Sequence, residues 1–216
     1  MNRILTRARL AEGVAVLCAR DDRLRAVVNQ FGPPPQWYRP PGFRTLLYLI
    51  LEQQVSLASA RATWEKLVAL LGEEPTPDLF LGLTDDALRS AGFSRQKTRY
   101  GRLLARAVQD RSLKPDRLQS LDDDAVRARL TAITGIGNWT ADVYMMEAMR
   151  RPDIWPVGDL ALAVAAQEVL GLPERPDEAA LREIGGGWRP WRAVAARILW
   201  HHYLSTPRRG GGAKPT

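Results

Sequence analysis

Apolar positions recur at three- and four-residue spacing through nearly the whole chain, and no run of alternating β-branched residues interrupts them. That periodicity predicts helices and no sheet. Helices are expected near residues 6–20 and 21–30, followed by a connector from Gly32 to Gly42 that carries five prolines. Proline lacks the backbone donor and clashes with the preceding turn, so this stretch cannot continue a helix. Thr45 to about Leu51 is almost entirely apolar and predicts a central buried helix. Behind it, Ser56 can cap a helix whose Leu57, Ala60, Trp64, Leu67, Val68 and Leu71 share one face, with Gly72 as its stop. Short helices over 77–82 and 84–91 precede a longer one from Ser94 to about Asp110 and another short one over Asp122–Leu130. Segments near 138–150, 158–171, 177–184 and 190–205 complete about eleven helices, with no internal repeat. Arg208 to Thr216, with three consecutive glycines, predicts a flexible basic tail. The fold class is all-α.

Composition narrows the chemistry. The single Cys18 excludes a disulfide framework, a cysteine zinc site and an iron–sulfur cluster on four thiolates. His201 and His202 are too few for a metal site, and no cofactor is expected. No apolar run approaches the length of a membrane span, and the N-terminus lacks the apolar core of a signal peptide, so a cytoplasmic, nucleoid-associated monomer is expected. A net charge of +7 and a pI near 10.1 favour a polyanionic partner through counterion release, although solubility alone accounts for such a balance equally well. Seven tryptophans offer broad π faces for stacking on bases or cations.

The most informative stretch runs from Leu130 to Ala141. Gly135 and Gly137 bracket Ile136 between a short helix and a longer one. Glycine permits positive φ and close approach of a ligand to the backbone. Ile136 can pack inward and pin the helices, leaving amides at the start of the second helix to meet a phosphate oxygen. By itself the same spacing also fits an ordinary tight turn. Downstream, Asp159 stands at the head of an apolar helix, 22 residues after Gly137. It reads as an N-cap, and equally as the anion that cleavage of an N-glycosidic bond requires, because that bond breaks with positive charge developing on the sugar.

Three stretches together resemble the helix-hairpin-helix superfamily of DNA glycosylases, in its alkylation-specific branch, 3-methyladenine DNA glycosylase II (AlkA type). They are Ile50 to Ser56, Gly135 to Ala141, and Trp188 to Arg192 leading to Ile198-Leu199-Trp200. The likeness covers roughly residues 40–205, and the compact form is implied, without the extra β-rich lobe of longer members. It implies two helical lobes flanking a cleft, one about 45–150 and the other about 1–44 with 151–207, and a double-stranded DNA partner containing alkylated bases.

By this resemblance Asp159 is the catalytic carboxylate. Trp139 occupies the place where bifunctional relatives carry a Schiff-base lysine, which implies a monofunctional enzyme that leaves an abasic site. Trp139, Trp200 and Tyr144 are assigned to the base pocket. On the last helix Trp200 lies off the stripe formed by Trp191, Val194, Ala195, Ile198 and His202, and periodicity leaves open a helix buried on both sides. Gln54 sits at the wedge position that fills the space left by an everted nucleotide, and Gly135, Ile136, Gly137 and Thr140 form the backbone grip. Arg95 and Lys97, on a basic helix with Arg99 and Arg102, are assigned to phosphates, the remainder of that helix face being solvated. The chain departs from the branch pattern at Gln54, where an apolar residue is expected, and at Val143, where a tyrosine is expected; the latter implies a more open pocket and leaves the substrate range undetermined by the resemblance. The competing readings are a non-catalytic hairpin protein that binds damaged DNA and a glycosylase for oxidised or mismatched bases.

Overall fold

The computed structural model describes residues 4–207, and the predicted tail at 208–216 lies outside them. Among the described residues there are twelve α-helices, one 3-10 helix and no strand. In order they are α1 (Arg7–Arg20), α2 (Asp22–Phe31), α3 (Phe43–Glu52), α4 (Leu57–Leu71), α5 (Pro77–Gly82), α6 (Asp85–Ser90), α7 (Arg95–Gln109), the 3-10 helix (Pro115–Ser120), α8 (Asp123–Thr131), α9 (Asn138–Glu147), α10 (Leu160–Leu170), α11 (Glu178–Gly186) and α12 (Arg192–Ser205). Thr6, Asp21, Ser56, Thr76, Thr84, Ser94, Asp122, Asp159 and Asp177 each cap a helix by accepting an amide in its first turn. Each such bond stabilises its helix by about 1 kcal/mol. The 3-10 helix was not expected, because its residues are nearly all polar and carry no periodicity. The Pro-rich connector is non-helical as its sequence requires. α9 ends at Glu147, short of 150, and the chain turns sharply at Arg150, where φ is +55.

The described residues divide into two compact units: Arg39–Tyr144, and residues 4–38 with 145–207. The divisions fall earlier than expected at both places. Arg39 is drawn into the first unit by a bidentate pair with Glu52, at 2.8 and 3.1 Å. In that unit α3 packs on α4 and α7, and α5 and α6 pack on α7. Only Arg44 and Tyr48 of α3 escape burial, so the apolar run does form a central helix. Phe80 stacks edge-on and tilted between Phe43 and Phe93, at 6.3 and 5.6 Å.

In the other unit α12 is covered by α1, α2, α10 and α11. Seven consecutive residues, Ala193 to Leu199, are buried. A helix enclosed on every side has no polar stripe, which is why its periodicity could not assign a face. Arg197 is the charged member of that run. Its Nη1 and Nη2 donate to the carbonyls of Ala193 and Met146 at 3.0 and 2.7 Å, and its Nε donates to that of Gln36 at 3.2 Å. Burial pushes the guanidinium down to about 10, against the opposing pull of Glu147, so it remains a cation at neutral pH. One side chain thus ties α12, the end of α9 and the connector just before Trp37. Replacing Arg197 with Ala should cost about 3 kcal/mol by removing the side-chain donor from the carbonyls of Met146 and Gln36 and opening a gap beside the buried α12. Denaturant titration checks this, and an unchanged midpoint would contradict it.

Candidate active site and nucleic-acid interface

The Arg39–Tyr144 unit contains the hairpin. Between α8 and α9 the chain turns at Gly135, where φ is +101 and an added Cβ would collide with the Tyr100 ring. Ile136 is buried and its amide donates to Ile133 O at 3.0 Å. Arg127 of α8 bonds the buried Asp142 of α9 through Nη2 and Nε at 2.8 and 3.1 Å and reaches Asp124 at 3.0 Å, locking the two helices together. From outside the motif, Gln53 Nε2 donates to Gly135 O at 2.8 Å and to Thr140 Oγ1 at 3.0 Å. The turn is therefore fixed at its glycine and at the first turn of α9 by one amide.

These contacts revise several expectations. Only Gly135 needs positive φ; Gly137 is exposed, with nothing within 4 Å of where a Cβ would stand. The amide of Ile136 is committed to the turn, so its contribution to a grip is packing. Thr140 is buried and its hydroxyl accepts from Gln53, so its side chain is committed to bracing the turn. No described carbonyl accepts from the amides of Gly137 or Asn138, and these stand at the start of α9, where a helix leaves its donors open. Trp139 is half-buried beside them. Tyr144 is a correction: it is fully buried, its hydroxyl accepts from the Gly42 amide at 3.0 Å, and burial raises its pKa to about 12. It closes the connector onto α9 and presents no surface to a base.

Gln54 lies next to Gln53 and is exposed, with φ at +57, and Val55 and Leu57 beside it are exposed apolar side chains. Such a backbone costs a non-glycine residue about 1–3 kcal/mol and persists where surrounding structure imposes it. A cavity of about 240 Å³ next to this loop is lined by Gln53, Gln54, Ser59, Thr63, Gln96 and Lys97, among others. Lys97 donates its ammonium to Leu51 O at 2.6 Å, at the negative end of α3, and desolvation lowers its pKa. Arg95 is exposed and Arg102 is engaged by Asp85 and the carbonyls of Leu81 and Leu83.

The other unit contains the carboxylate. Asp159 caps α10: its Oδ1 accepts from the Leu162 amide at 2.7 Å and from Trp200 Nε1 at 3.0 Å. Asp159 and Trp200, which the resemblance assigns separately to catalysis and to the base pocket, are thus in direct contact. Trp200 is half-exposed where the enclosure of α12 ends. A second indole, Trp37, meets it edge to face at 6.4 Å and 72°, and touches His201 at the same separation. Trp37 is half-buried with φ at +39. It went unnoticed in sequence because the connector around it registered only as proline-rich. Trp188 and Trp191 are buried and serve packing, the former bonding Asp21 at 3.1 Å and facing Trp155 at 5.4 Å.

Two short helices closed over a buried isoleucine and braced by a glutamine from outside the turn make a helix-hairpin-helix, which places the chain in that class of nucleic-acid-binding folds. It belongs to the HhH-GPD superfamily of base excision DNA repair proteins, matching that family over residues 47–190. A crystal structure of DNA-3-methyladenine glycosidase from Bacillus halodurans superimposes with a TM-score of 0.74 at 32% identity, covering 89% of each chain. The bifunctional transcriptional activator/DNA repair enzyme AlkA of Mycobacterium tuberculosis, a probable assignment by its name, is 34% identical over 163 residues, or 70% of this chain and 31% of that protein. DNA-3-methyladenine glycosylase of Bacillus subtilis is 25% identical over 172 residues, 74% of this chain and 57% of that protein. The chain thus spans less than two thirds of the length of these curated relatives.

The two hairpin glycines give opposite expectations. Gly135→Ala should lower stability by about 1–3 kcal/mol through its backbone and Tyr100, whereas Gly137→Ala should leave the unfolding midpoint unchanged. Thermal denaturation of both variants decides it, and equal losses would contradict this account of the turn.

Proposed function

We propose that this chain is a monofunctional DNA glycosylase that hydrolyses the N-glycosidic bond of alkylated bases, 3-methyladenine and 7-methylguanine among them, in double-stranded DNA. The observation that carries the reading is the Asp159 carboxylate fixed at the head of α10 and bonded by the indole of Trp200 at 3.0 Å. Membership of a base-excision family supports it, as does the likeness to proteins named for 3-methyladenine release.

Alkylation at N3 of adenine or N7 of guanine leaves a cationic base. An electron-rich indole attracts such a ring by about 0.5–2 kcal/mol, and Trp200 and Trp37, held edge to face, form two walls for it. Trp139 offers no amine, which accords with hydrolysis without a Schiff base. As the glycosidic bond breaks, its electrons pass to the base, which leaves neutral and needs no acid. Positive charge grows at C1′, where the Asp159 carboxylate stabilises it. Water adds to C1′ and gives its proton to that carboxylate, leaving an abasic site. A phosphate seats on the amides of Gly137 and Asn138, and Gln54, held in its strained conformation, fills the space in the duplex.

Asp159→Asn should reduce base release by about a hundredfold or more while leaving affinity for an abasic-site duplex unchanged. Release from methylated DNA under single-turnover conditions, beside a binding titration, reads both; near-normal release would overturn the assignment. Trp37→Ala should lower release of 7-methylguanine by about tenfold without loss of fold, since its ring is only half-buried. Unaltered release by a folded variant would remove Trp37 from the pocket.

A further inference from the structure

α7 has two unlike faces. On one, Tyr100 backs Gly135 of the hairpin and Lys97 caps α3. On the other, Arg95, Arg99, Arg102 and Arg106 recur at four-, three- and four-residue steps and so align in one stripe. With Arg89 of α6 they line a groove of about 490 Å³ whose floor is Phe93, Thr98 and Leu103.

The carboxylates near this groove are already used. Asp85 takes Arg102 at 2.6 Å and Asp86 takes Arg89 at 3.0 Å. Arg95, Arg99 and Arg106 are exposed, and their guanidinium groups make no ion pair or hydrogen bond with any described residue. Like charges at this spacing repel, so the stripe carries a standing unfavourable charge that a polyanion relieves. From Arg95 to Arg106 it extends about 16 Å along the helix, the axial length of about five phosphates on one strand of B-DNA. Arginine forks match phosphate oxygens in pairs. Phe93 is buried, so the groove exposes no aromatic ring for a base to stack on and suits a backbone.

We infer that the arginine stripe is a second DNA surface, which takes the phosphate backbone of a segment other than the one gripped by the hairpin. The protein then passes between duplexes through a complex that holds both. The inference rests on the glycosylase reading for the first segment only.

The test measures loss of the protein from a labelled duplex as unlabelled duplex is added in rising amounts, at one salt concentration. For the unaltered protein the rate should climb with competitor. The triple variant Arg89→Gln, Arg99→Gln and Arg106→Gln should flatten that climb by about fivefold or more, and three lysines at the same positions should restore most of it. Single-turnover base release from a short alkylated duplex should agree within about twofold among all three proteins, because none of these residues belongs to the hairpin or the Asp159 site. A rate independent of competitor in the unaltered protein, or an undiminished climb in the glutamine variant, overturns the proposal. Acceleration by polyglutamate in place of duplex also overturns it, in favour of an acidic protein partner. A protein that exchanges between duplexes but releases no base defeats the enzymatic reading and leaves the second surface standing.

Discussion

The hydrogen bond from Trp200 Nε1 to Asp159 Oδ1 is the constraint on which the proposed chemistry depends. It gives one carboxylate oxygen two fixed donors, the indole and the Leu162 amide, so the group cannot rotate away from the head of α10 without losing both. The same bond sets the plane of the indole. An aromatic wall and an anion are thereby positioned as one unit, which suits a substrate whose base is cationic before reaction and whose sugar becomes cationic during it. The geometry survives because α12 has no freedom of its own. Its residues Ala193 to Leu199 are enclosed, and Arg197 anchors it to α9 and to the connector.

Backbone strain marks the places where packing has been overruled. Trp37 and Gln54 both adopt positive φ, a conformation disfavoured for any side chain and more so for a large one. Neither occupies a turn that glycine could not have made more easily. Trp37 is turned so that its ring meets Trp200, and Gln54 is turned out into solvent beside Val55 and Leu57. Each is steadied by a neighbour: Gln36 O accepts from Arg197, and Gln53 bonds the hairpin. In both places one residue of an adjacent pair is fixed while the other is displayed.

The helical class was legible because amphipathic spacing and capping residues agree along the chain: Ser56, Ser94 and Asp122 cap the helices expected behind them. Gly135 as the turn residue and Asp159 as the cap of α10 could be read because few residue types suit either place. What could not be read is long-range. Gln53 reaches Gly135 across 82 positions and Trp37 meets Trp200 across 163, and neither pairing leaves a periodic trace. Tyr144 was misassigned for the same reason, since its partner is the amide of Gly42 and nothing in its own helix indicates that the ring points inward. Arg197 and Asp142 did leave a sign, a lone charge in an apolar run, which reads as a defect until its partners are known.

The most direct measurement is chromatography of the bases released when the purified protein is incubated with methylated duplex DNA, together with a count of strand breaks. Free 3-methyladenine and 7-methylguanine should appear in step with intact-strand abasic sites. No released base, or strand scission that keeps pace with release, would contradict it.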